Sequence, residues 1–209
     1  MAQPTQKENL LILGATGYIG THITSAIISS KASFGRIAIF TSPTTAESKV
    51  QHLDDLRAKG AEIFVGDINN EEDLLNAFKG IDTIVSAVGR SIIASQIPWI
   101  HLAAKSGTIK RFFPSEYGTD IAYNASSATE VPHQQKLKVR AALEKSGLEY
   151  TYVVTGPYAS ALLTPGRGSR EIGAFDVKEK RAVLLGDGKG KVSLTTVGEY
   201  VPFLPTPLT

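Results

Sequence analysis

Three glycines carry the clearest chemical signal in this chain. Gly14, Gly17 and Gly20 form G-x-x-G-x-x-G in LLILGATGYIG, directly after the apolar run Leu10–Leu13. Each glycine answers a different steric need. One permits a sharp turn, one lets the backbone approach a pyrophosphate, and one lets the following helix lie close to a sheet. Backbone N–H groups at the start of that helix then face the anion. The Thr16 hydroxyl adds a donor, and Tyr18 and Ile19 open the helix beside the same ligand. Glycines also mark ordinary tight turns, so the ligand reading depends on the surrounding elements.

Other chemistries are harder to build from these residues. There is no cysteine, which excludes disulfides, thiolate metal sites and cysteine nucleophiles. The histidines His22, His52, His101 and His133 lack the H-x-x-x-H spacing of a zinc helix, and no metal site is expected. A tyrosine with a lysine four residues on would give a phenol of lowered pKa for proton transfer. Tyr18, Tyr117, Tyr123, Tyr150, Tyr152, Tyr158 and Tyr200 are instead followed at that distance by His22, Ile121, Ser127, Val154, Gly156, Leu162 and Leu204. That mechanism is absent.

The elements that must position the glycine turn are legible from periodicity. Short apolar runs at 10–13, 36–40, 61–65, 82–86, 110–113 and 150–154 predict strands. Amphipathic stretches at 18–29, 46–59, 71–78, 92–104 and 135–146 predict helices. Nearly continuous apolar strands imply a sheet covered on both faces. The regular alternation predicts an α/β fold, a doubly wound Rossmann-type parallel sheet. Residues 1–154 form this nucleotide-binding domain. Residues 155–209 are rich in Gly-Pro turns, with one strand at 182–185, and are expected to form a partial C-terminal substrate lobe. Pro202, Pro205 and Pro207 stop a helix begun near Val197.

Bulk properties agree with a globular protein of 209 residues, 42% hydrophobic and 20% charged. The net charge of +2 comes from scattered basic residues, which argues against a nucleic-acid partner. No apolar window reaches the length of a membrane span, and the polar N-terminus lacks the apolar core of a secretory signal. The expected compartment is the cytoplasm.

Cofactor choice is written at strand ends. NAD binders place an acid after the second strand; here Thr41 and Ser42 stand there, with no carboxylate before Glu47. This favours NADP(H), with Lys49 available as a cation for a 2′-phosphate. Asp67 and Ile68 follow the third strand at the adenine position, where Asp67 reads equally as a turn carboxylate. Ala87, Val88 and Gly89 follow the fourth, where small residues leave room for the nicotinamide half. Tyr117 and Tyr158, after the fifth and sixth, are candidate substrate contacts.

Four segments now bear on family. LGATGYIG, AEIFVGDINNEEDLLNAFKGIDTIVSAVG, IKRFFPSEYGTD and HQQKLKVRAALEKSGLEYTYV together resemble the isoflavone-reductase-like proteins. These belong to the NmrA-like group of atypical short-chain dehydrogenases. RFFPSEYG is the most specific of the four.

The resemblance implies an NADPH-dependent reductase acting on a small phenylpropanoid- or isoflavonoid-like aromatic substrate. It also implies a lysine, here Lys136, as the catalytic proton-transfer group. A partly desolvated ammonium has a lowered pKa and can exchange a proton with a substrate oxygen. The residues by themselves also read as a solvated face, with Lys136, Arg140 and Glu144 at i, i+4 and i+8. Two departures from the family accompany the resemblance. The usual arginine after the second strand is missing, and the pocket-closing C-terminal part is short, so weakened turnover is expected. The alternative is a non-catalytic NADP(H) sensor that reports redox state to a protein partner.

Overall fold

The computed structural model describes residues 7–160, 174–176, 179–183, 187, 189–191 and 193–196. Six strands form one parallel sheet in the order β3-β2-β1-β4-β5-β6. They are β1 (Leu10–Leu13), β2 (Ile37–Thr41), β3 (Glu62–Val65), β4 (Thr83–Ser86), β5 (Arg111–Phe113) and β6 (Glu149–Tyr150). The helices are α1 (Tyr18–Ser29), α2 (Pro43–Ser48), α3 (Val50–Ala58), α4 (Glu71–Phe78), α5 (Gln96–Ser106) and α6 (Val131–Ser146). Arg90–Ser95 forms a 3-10 segment. A separate antiparallel pair joins β7 (Ala174–Asp176) to β8 (Arg181–Val183), overlapping the strand expected at 182–185. The helix expected near Val197 lies outside the described residues.

Alternation along each strand sorts side chains to two faces. Leu10, Ile12, Ile39 and Val85 pack with Ile23 and Ile27 of α1 and Leu53 and Leu56 of α3. Leu11, Leu13, Phe40, Ile84 and Phe112 pack with Phe78 of α4, Trp99 of α5 and Val139 and Leu143 of α6. Both faces are therefore apolar, which is why β1, β2 and β4 are buried along their whole length. Each fully buried Leu or Ile contributes about 1.5–3 kcal/mol of hydrophobic stabilisation. No helix among the described residues is long and apolar enough to cross a membrane.

Three elements differ from the periodicity reading. The helix expected at 46–59 breaks at Lys49, whose φ of −127° leaves the helical range between α2 and α3. The helix expected at 92–104 becomes a 3-10 segment followed by α5, because Pro98 lacks the N–H that an uninterrupted helix would need there. In the first turn of α5 that N–H is unused anyway. The strand expected at 150–154 is only Glu149–Tyr150, paired to Arg111 and Phe112. Pro114 has no N–H to extend the ladder, and the Thr155 and Gly156 N–H groups turn to the Gly118 carbonyl at 3.1 and 2.8 Å.

Trp99 ties α5 to the end of β3. It is fully buried, and its Nε1 donates to the Ile68 carbonyl at 3.0 Å. Trp99→Phe keeps most of the packing but orphans that carbonyl, at a cost of about 1–3 kcal/mol. A lowered urea midpoint at unchanged m-value, followed by circular dichroism because Trp99 is the single tryptophan, is the expected result.

Candidate functional site

The strand order reverses between β1 and β4, and a crevice opens at the carboxyl ends of the strands where it does so. The glycine turn lies there. Gly14 has φ +80°, and a Cβ on it would stand 2.7 Å from the Ala87 carbonyl oxygen at the end of β4. A Cβ on Gly20 would stand 2.0 Å from the Gly14 oxygen, so α1 rests directly on the turn. Gly17, at the N-cap of α1, donates its N–H to the Gly14 oxygen at 3.0 Å. No side chain caps α1 and no acidic residue stands in its first turn, which leaves its positive end available to an anion. Thr16 is half-buried beside it. Ile19 packs on the first core face, and the Tyr18 hydroxyl meets Ser160 Oγ at 2.6 Å.

The end of β2 supplies hydroxyls and one cation. Thr41 is buried, while Ser42 is exposed and caps α2 by accepting the Thr45 N–H at 3.2 Å. The break at Lys49 turns its side chain back across the crevice, where Nζ donates to the Thr16 carbonyl at 2.6 Å. A cation is thus moored between the β2 end and the glycine turn. At the end of β3, Asp67 Oδ1 accepts the Asn69 N–H at 2.9 Å and its amide at 3.1 Å. One Asp67 carboxylate oxygen is thus used in a local turn. Ile68 packs against the second core face. Ala87 and Val88 are buried at the end of β4, and Gly89 is exposed at the start of the 3-10 segment.

Lys136, on α6, faces the loop after β5. Lys136 and Arg140 are each only 9% exposed, so the solvated-face arrangement does not form; Glu144 alone of the three is exposed. Lys136 Nζ donates to the Glu116 carbonyl at 2.9 Å in the loop after β5. Burial holds its pKa below the usual lysine range, partly opposed by Glu116 and reinforced by Arg90 and Arg140. Arg140 grips the Glu116 carboxylate through Nε at 3.2 Å and a terminal nitrogen at 2.7 Å. Burial disfavours the Arg140 charge, but the Glu116 hydrogen bond and charge outweigh it and raise its pKa. His133, half-buried one turn before Lys136, has a pKa lowered chiefly by burial.

Tyr117 and Tyr158 are both buried in the same core cluster as Ala15 and Ala87. The Tyr158 hydroxyl accepts from Thr155 Oγ1 at 2.9 Å.

Sequence reading missed two positioning groups. Gln96 is fully buried; its amide donates to Ile93 at 3.0 Å and its oxygen accepts the Ser115 N–H at 2.9 Å. Nothing in a lone glutamine at a helix start signals this. The Glu116–Arg140 pair was also missed, although an acid in an otherwise apolar strand end was a usable signal.

A parallel sheet with its order reversed at β1 and β4, a glycine turn that excludes a Cβ at Gly14 and Gly20, and an uncapped helix start define a Rossmann-type dinucleotide-binding fold. More particularly, the chain belongs to the NmrA-like family, whose model matches residues 6–165. It is 35% identical over 188 residues to phenylcoumaran benzylic ether reductase PT1 of Pinus taeda, covering 89% of this chain and 60% of that protein. It is 33% identical over 208 residues to isoflavone reductase of Pisum sativum, covering 93% and 64%. The chain thus spans between 60% and 64% of the length of these curated relatives. Among solved structures, the binary complex of leucoanthocyanidin reductase with NADPH from Vitis vinifera is similar. It has a TM-score of 0.67 and 33% identity, covering 76% of this chain and 54% of that one.

Proposed function

We propose that this chain is an NADPH-dependent reductase that transfers hydride to a phenylpropanoid- or isoflavonoid-like aromatic substrate. The observation that carries the reading is Lys136, an ammonium buried against the Glu116 carbonyl in the loop that ties to the β4 end, where the glycine turn also rests. Gly14, Thr16, Gly17, Tyr18, Ile19 and Gly20 hold the pyrophosphate in this reading. Thr41, Ser42 and Lys49 receive the 2′-phosphate, and Asp67 and Ile68 border the adenine. Ala87, Val88 and Gly89 leave space for the nicotinamide half. Tyr117 and Tyr158 form the aromatic wall toward the substrate, with residues 155–209 contributing to its side of the crevice. NADPH supplies the hydride when bound. Lys136 moves the accompanying proton to or from a substrate oxygen, worth about 10²–10⁴-fold in rate. The names of the relatives support the substrate class: a benzylic ether, an isoflavone and a leucoanthocyanidin reductase.

Calorimetric titration with NADPH and NADH, followed by NADPH oxidation over a panel of such aromatics, tests the reading. Tight NADPH binding with turnover of at least one substrate is expected. Binding with no turnover would favour a redox sensor with a protein partner, and no nucleotide binding would overturn both readings.

Lys49 gives a sharper check on cofactor choice. Its ammonium is already moored at Thr16 and needs little further ordering to meet a phosphate. A hydrogen bond to a charged group is worth roughly 1.5–3 kcal/mol, which corresponds to roughly 10–100-fold in affinity. Lys49→Ala should weaken NADPH by roughly that factor and leave NADH unchanged. An equal loss for both nucleotides would mean that Lys49 shapes the turn and does not read the 2′-phosphate.

A further inference from the structure

We infer that the buried Glu116–Arg140 pair is the positioning element for Lys136, fixing the carbonyl that receives its ammonium and balancing the charges that face it. The inference rests on the proton-transfer role proposed for Lys136. Lys136 and Arg140 are one turn apart on α6 and therefore share a face. Both reach the same residue of the facing loop. Lys136 takes the main-chain oxygen of Glu116, and Arg140 takes both of its carboxylate oxygens. Glu116 is 1% exposed, so its carboxylate has no solvent alternative to Arg140.

The loop itself is tied on every side. Ser115 donates its N–H to Gln96 and its hydroxyl to the Val88 carbonyl at 2.8 Å. The Glu116 N–H closes a tight turn onto the Pro114 oxygen at 2.7 Å, and Gly118 accepts from Thr155 and Gly156. Arg140 is backed by the ring of Tyr152, 4.4 Å from the guanidinium carbon. A carbonyl held this firmly gives Nζ one address.

Charge completes the device. Lys136 is faced by Glu116 from the loop, by Arg90 from the 3-10 segment and by Arg140 from its own helix. Glu130 pairs with Arg90, Asp120 lies 3.9 Å from Arg140, and His133 stands one turn away. An unpaired Glu116 carboxylate would draw the ammonium to itself, and an unpaired Arg140 would repel it. Paired, the two oppose each other, with Glu116 the larger influence, and Lys136 keeps its bond to a neutral oxygen.

The test reads Lys136 directly in the full chain. Protein carrying 13C-labelled lysine is titrated by NMR, and the Lys136 Cε signal is assigned by its loss in Lys136→Arg. Glu116→Gln should lower the Lys136 midpoint by about one pH unit, and Arg140→Met should raise it by less. The double variant should fall between the two single variants, on the lowered side of the wild-type value because Glu116 is the larger influence. Glu116→Gln preserves volume, so it keeps the test decisive if Arg140→Met does not fold. An unchanged Lys136 midpoint in folded Glu116→Gln, even with a lowered melting temperature, would make the pair merely structural and overturn the inference. The titration needs no turnover, so failure of the reductase reading appears separately, in the NADPH oxidation assay.

Discussion

Lys136→Met should bind NADPH as tightly as the wild-type chain and lose about 10²–10⁴-fold in turnover. The lysine's hydrogen bond goes to the Glu116 carbonyl and not to the glycine turn, so the turn keeps its geometry and cofactor affinity should hold. Stability should change little, because two effects oppose each other. The variant orphans a buried carbonyl, which costs about 1–3 kcal/mol. It also relieves the burial of an ammonium.

The sign of that relief follows from the direction of the pKa. Folding lowers the lysine's pKa below its ordinary value of 10.5, with burial the largest cause. The unfolded chain therefore binds this proton more tightly, and the group costs stability below the folded pKa. That cost shrinks as pH rises from the folded toward the unfolded value. Catalysis shows the same pKa from the other side. Reduction that draws a proton from the ammonium should fall as pH rises through the lowered pKa, and the reverse oxidation should rise. Initial rates across pH 6–10 in both directions provide the measurement. Full turnover in Lys136→Met would remove the lysine from the mechanism.

Gly20→Ala should cost more than Gly17→Ala and should abolish nucleotide binding. The new methyl at position 20 would lie 2.0 Å from the Gly14 oxygen, closer than any van der Waals contact permits. The atom it meets is backbone, held in place by the Gly17 N–H and by the approach of Gly14 to Ala87. Relief requires α1 to lift from the turn. Overpacking of this kind costs about 1–3 kcal/mol and sometimes more. At Gly17 the methyl would meet the same oxygen at 3.3 Å with φ at −74°, a contact that small shifts can absorb. Gly17→Ala should therefore fold normally, and any loss of affinity it shows reports how closely the phosphate approaches. Melting temperature and NADPH calorimetry on the two variants separate these effects. A Gly20→Ala chain with wild-type melting and binding would refute the close-packing role.

Burial on both faces of the sheet is legible from local physics. Apolar runs such as Leu10–Leu13 and Thr83–Ser86 are buried on both faces, so they declare a parallel sheet without any knowledge of partners. The glycine turn is legible for the same reason, since its three roles are local steric demands. Cofactor choice is only half legible. The missing acid at Thr41 and Ser42 is visible in the chain, but the mooring of Lys49 on Thr16 spans 33 residues and depends on a helix break. For Asp67 the structure adds a turn bond from its Oδ1 to Asn69, two residues on, which the sequence already allowed.

By itself, the sequence determined the sheet, its alternation with helices and the place where a dinucleotide can rest, because periodicity and glycine sterics act over a few residues. Only the tertiary structure decided that Lys136 and Arg140 are buried and converge on Glu116, 20 and 24 residues away. An i, i+4 pair of cations looks the same on a solvated face as on a buried one. Which it becomes depends on what the facing loop presents, and that loop is brought into place only when α6 packs on the sheet against β5.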